Sequence, residues 1–199
     1  MPVTLTPPKE SHRRASRALE YFLELRQDHE LLGQFPPELF TARFLQSLPA
    51  YALPISRRRL KSLTRAAKRI AWLYFLQYNS QTAALEVGIE DGRHRHARFH
   101  QGALMGTLLD LVGKVRRQRG ADVRDAHMRL LRVYALHFSC VWLHGESDTL
   151  VPVNALPGHL EAGVEYSPEE FLARVNDAAK SVLSLQAKHM PKPKPRRKG

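Results

Sequence analysis

The chain has 199 residues, 31 Lys+Arg against 19 Asp+Glu, a formal net charge of +12, and 43% hydrophobic residues. This size and composition suit one soluble domain, or at most two small ones, and argue against wholesale disorder. A single cysteine, Cys140, excludes an internal disulfide and a zinc site built from several thiolates. Met1–Pro8 lacks the pattern of a signal peptide, and the longest nearly unbroken apolar run, Val133–Leu143, is about half of a membrane span. The expectation is a basic cytoplasmic protein without a membrane partner.

Taken in chain order, nearly every segment predicts helix. The first helix starts behind Thr6 at Pro7-Pro8 and stops at Gly33. The second runs from Pro36-Pro37 to Leu48 before Pro49, and the third from Ser56 to about Tyr78. A short helix over 81–87 ends at Gly88, a long one runs 93–119, and another, opened by Asp122, runs to His144. Residues 145–166 read as a long loop, and Ser167-Pro168-Glu169-Glu170 as a capping box opening a last helix over 168–188. The fold expected is therefore all-α, a compact domain of about six to seven helices over residues 1–188. Residues 189–199 contain Pro and Lys/Arg with scarcely an apolar side chain, a composition that predicts a disordered basic tail.

The charge is sorted along the chain. The middle, 39–119, is strongly basic, and the tail adds Lys192, Lys194, Arg196, Arg197 and Lys198, whereas 145–187 is acidic. On a helix through 57–78, Leu60, Leu63, Ala67, Ile70 and Tyr74 share one face. Arg57, Arg58, Lys61, Arg65, Lys68 and Arg69 fall on the other, with no acid between 57 and 79. A stripe of this kind suits a row of phosphates; the alternative is a solvated face, or one covered by the acidic segment. Residues 81–99 resemble a helix-turn-helix, with Ala84 as the small residue of its first helix and Gly88 and Ile89 at the turn. The following helix would then offer Arg93, Arg95, His96 and Arg98 to phosphates and guanine edges.

Enzyme signals are weak. His96 and His100 stand one helical turn apart, and His137, Cys140 and His144 share a face of the expected 122–144 helix. Both groups read more simply as phosphate contacts or as a packed interface, so no metal, cofactor or catalytic residue is expected. Leu143–Pro152, followed by Gly158-His159, resembles the α/β-hydrolase segment that carries the acidic triad member. The nucleophile elbow G-x-S-x-G is absent, which leaves Asp148 and His159 without a serine. The functional expectation is a non-enzymatic nucleic-acid-binding protein of helix-turn-helix type, DNA before RNA, acting as a homodimer if that motif holds. The alternative is a protein–protein adaptor, chaperone-like or immunity-type, whose basic face meets an acidic protein.

Overall fold

Residues 70–76 read Ile-Ala-Trp-Leu-Tyr-Phe-Leu, apolar at every position, which suits a strand buried on both faces as well as it suits a buried helix. The structure, a computed structural model, describes residues 5–28, 44–56, 58–78, 81–118 and 127–189, and it makes this run an interior strand. Ala71, Leu73 and Phe75 pack on one face of the sheet, and Trp72 and Tyr74 on the other.

The elements in order are α1 (Lys9–Asp28), β1 (Phe44–Ala52), α2 (Leu63–Ala66), β2 (Lys68–Tyr78), β3 (Gln81–Glu90), β4 (Arg93–Gln101) and α3 (Ala103–Gln118). They continue with β5 (His127–Val133), a 3-10 turn (Tyr134–Leu136), β6 (Phe138–His144), β7 (Thr149–Pro152) and α4 (Pro168–His189). The strands form one seven-stranded sheet in the order β4-β3-β2-β1-β5-β6-β7. β1 and β5 run parallel and the other neighbours antiparallel. Along each strand the side chains alternate between faces. Met105, Leu108, Val112 and Val115 of α3 cover one face, packing on Leu48, Leu73, Phe75, Leu130 and Val141. The other face carries α1, through Ala15 on Trp72, Tyr74 and Leu85, and α4, through Phe171 and Val175 on Leu131, Phe138 and Cys140.

The all-α multi-helix expectation is thus wrong, and for separable reasons. The third helix expected over 57–78 is a loop, the single turn α2 and strand β2. The helix expected over 81–87 is β3, and the front of the 93–119 helix is β4. The 122–144 helix is from 127 onward the β5–turn–β6 hairpin, with its start at Asp122 outside the described residues. Most of the second expected helix lies outside the described residues, and its end belongs to β1. The helix-turn-helix is a β-hairpin: Asp91 (φ 50°) and Gly92 (φ 73°) form its two-residue loop, with Glu90 opposite Arg93. Positive φ at both loop positions is the type I′ geometry that matches strand twist, and Asp-Gly is a preferred pair for it.

Helices occur where caps, rather than apolar period, marked them. α1 follows Pro8, although the expected stop at Gly33 lies outside the described residues. α4 starts at Pro168, where the Ser167 hydroxyl accepts the Glu170 N–H at 3.2 Å. The 145–166 stretch holds β7 and the bridges Leu150–Tyr166 and Leu156–Leu160.

Candidate nucleic-acid interface and the cavity beside it

Losing the third helix dissolves the stripe but leaves its described charges exposed. Arg58 and Lys61 lie on the loop, Arg65 on α2, and Lys68 and Arg69 at the start of β2. Arg57 and the tail cations Lys192, Lys194, Arg196, Arg197 and Lys198 lie outside the described residues. Arg93, Arg95, His96 and Arg98 are exposed on β4, an edge strand. Ala71 pairs with Gly88, so Lys68 and Arg69 share one end of the sheet with the Asp91–Gly92 turn and Arg93. Arg93, Arg95 and Arg98 form no ion pair with any described residue, whereas His96 Nε2 lies 3.2 Å from Glu90 Oε2.

Behind β4, on the α3 face, lies a polar cluster drawn from three strands. Cross-strand register lines up Ala50, Ala71 and Gly88, a row of small residues. Arg132 of β5 reaches across to Glu86 of β3, and its Nη1 bonds Glu86 Oε2. His100 Nε2 of β4 stands 3.1 Å from the same oxygen. The Tyr134 hydroxyl lies 3.4 Å from Arg132 Nη1, while its ring stays 55% exposed. Burial alone would push the Glu86 carboxyl up; the His100 contact and the charge and hydrogen bond of Arg132 outweigh it and hold the group at about 2. Burial would lower the Arg132 pKa, but Glu86 and Tyr134 raise it above its ordinary value. Glu86, Tyr134, His96 and Arg98 line a cavity of about 180 Å³ with Ile70, Gly88, Ile89 and Glu90.

A larger cavity, about 590 Å³, opens at the other edge, between Lys61–Thr64, the β6–β7 turn and the start of α4. It contains an Asp–His pair: Asp148 Oδ1 lies 2.9 Å from His144 Nδ1 and accepts the Gly145 N–H at 3.1 Å. Both contacts bind the turn to itself. Ser62 and Thr64 bond each other, Ser167 caps α4, and no hydroxyl among the described residues bonds His144. The hydrolase-like string therefore folds into a hairpin turn, with Asp148 on His144 rather than His159. Cys140 is fully buried and burial raises its thiol pKa, so the thiolate a nucleophile needs is suppressed. No group of three His, Cys, Asp or Glu able to hold a metal occurs among the described residues.

The sequence reading missed Glu86, His100, Arg132 and Tyr134 as a set. One signal was present: Glu86 is the lone acid in the apolar run Ala83–Ile89, where only a partnered carboxylate can be buried. Its partners lie 14 and 46 residues away, and nothing local announces them. No described helix is long and apolar enough to cross a membrane. Neither protein-family models, nor curated proteins, nor solved structures give a match to this chain.

Proposed function

We propose that this chain is a non-enzymatic nucleic-acid-binding protein that grips a single strand along β4. The observation that carries the reading is the row Arg93, Arg95 and Arg98: three exposed arginines on one edge strand with no ion-pair partner among the described residues. Like charges this close repel one another, and a chain of phosphates relieves that repulsion while releasing condensed counterions. Lys68 and Arg69 extend the basic edge at the hairpin end. The exposed Tyr134 ring beside Arg98 and His96 supplies the aromatic face on which an unpaired base stacks. Residues 81–99 form a hairpin in place of the expected helix-turn-helix, and an edge strand beside an exposed ring suits a single strand. Single strands are therefore taken as the substrate, and DNA and RNA are tested side by side.

The test is fluorescence anisotropy of the full chain on single-stranded DNA, single-stranded RNA and duplex DNA across a salt series. Each neutralised phosphate of a single strand contributes about −0.7 to the slope of log affinity on log salt. The triple variant Arg93→Glu/Arg95→Glu/Arg98→Glu keeps the tail, so it isolates β4. It is expected to weaken single-strand binding more than tenfold and to flatten the slope by about 2. Unchanged affinity would sink the reading. Tight capture of an acidic protein by a chain that ignores nucleic acid would transfer the basic edge to the adaptor alternative.

A further inference from the structure

The cavity beside β4 has a chemistry of its own, which rests on the single-strand reading and deepens it. Arg132 and His100 both contact Oε2 of Glu86. No described residue donates to Oε1, although Glu86 lines the cavity. An ionised carboxylate only accepts hydrogen bonds, so the free oxygen calls for a donor and repels a carbonyl. Ile70 and Ile89 make the adjoining walls apolar, Tyr134 offers an exposed ring, and Arg98 lies at the same cavity, suited to a phosphate, while His96 there is held by Glu90. At about 180 Å³ the space is close to that of an apolar cavity of ~150 Å³ known to accept one benzene ring, and so has room for a single ring.

From this juxtaposition we propose that the cavity is a cytosine seat. The pyrimidine ring stacks on Tyr134, its exocyclic N4 amino group donates to Glu86 Oε1, and its phosphate meets Arg98. Glutamate accepting from cytosine N4 is an established base contact. Uracil and thymine place a carbonyl where cytosine has the amino group, so the carboxylate discriminates against both. Adenine and guanine can also donate, but as fused rings they demand more room. Arg132 acts here as a positioning residue: it holds Glu86 ionised and aims it without touching the base.

The experiment titrates full-length protein with oligo(dC), oligo(dT), oligo(dA), oligo(C) and oligo(U) of equal length at one salt concentration. Cytidine and uridine monophosphates serve as competitors, to separate a base in a strand from a free nucleotide. Cytosine strands are expected to bind about tenfold or more tighter than thymine or uracil strands. Tyr134→Ala, on an exposed side chain, is expected to remove most of that preference while leaving the salt slope in place. Glu86→Gln is expected to equalise cytosine and uracil; should it fail to fold, Tyr134→Ala and the mononucleotide competition still decide. Equal affinity for cytosine and uracil, or a preference for purines, overturns the cytosine seat while leaving the single-strand reading intact. Absence of binding to every strand overturns both. Displacement by cytidine monophosphate at lower concentration than uridine monophosphate supports the seat, and equal displacement counts against it.

Discussion

Two carboxylates, Glu86 and Asp148, sit in cavities on opposite halves of the sheet, and they have been put to different uses. Asp148 gathers partners from its own turn, His144 and Gly145, within four residues of itself. Glu86 gathers His100 and Arg132 from two other strands, one on either side of it in the sheet. The local arrangement fully explains itself as a hairpin closure. The distant one stabilises a charge pair across four strands and still leaves Glu86, a cavity-lining residue, with no donor to Oε1 among the described residues, an arrangement a fold does not require. Polar groups assembled from far apart, and incompletely used, are the better mark of a site.

The sharpest way to break this contrast is to remove one partner from each. Glu86→Leu leaves the Arg132 guanidinium, largely covered by the protein, without its counter-charge. Breaking a buried pair from one side costs about 3–5 kcal/mol, whereas replacing both members with apolar residues is often close to neutral. Urea unfolding should therefore show a large fall in midpoint for Glu86→Leu and recovery of most of it in Glu86→Leu/Arg132→Met. A double variant as unstable as the single one would mean that the pair does more than satisfy itself.

Acid offers a second, smaller lever. The folded Glu86 carboxyl is held at about 2 against an ordinary 4.5, so the unfolded chain binds this proton more readily. The stability that Glu86 contributes is full above pH 4.5 and is lost as pH falls through about 2; the shift is worth at most about 3 kcal/mol. Thermal melts between pH 5 and 2 (the range set by those two values) should decline less steeply in Glu86→Gln than in the parent. Parallel declines would show that other carboxylates carry the acid sensitivity.

How much of this was legible in the sequence depends on the same local–distant divide. The Ser167–Glu170 cap and the Pro7-Pro8 start are local signals, and α4 and α1 follow them. Asp91-Gly92 is an equally local hairpin signal, but between two apolar-rich runs it passes for a helix turn. The apolar strands mislead for a physical reason: a strand buried on both faces loses the alternation that distinguishes it from a helix. In β2, Trp72 and Tyr74 go to α1 while Leu73 and Phe75 go to α3. The exposed β4 cations could be picked out by charge alone. Glu86 with Arg132 could not, because their pairing depends on β1 and β5 running parallel side by side.

The smallest expected effect is also the one that tests the contrast from its quiet side. Asp148→Ala removes the acceptor for two donors, but Gly145 and His144 are both partly exposed, so water can replace it. A hydrogen bond lost at such a place costs about 1 kcal/mol, far below the buried Glu86 pair. Urea midpoints should shift slightly, and single-strand affinity and its salt slope should stay at the parent's values. Were Asp148→Ala instead to weaken nucleic-acid binding as much as the β4 triple variant, the larger cavity would belong to the binding surface. The turn would then be more than a turn, and incompletely used polar groups would have been the wrong criterion for choosing between the two sites.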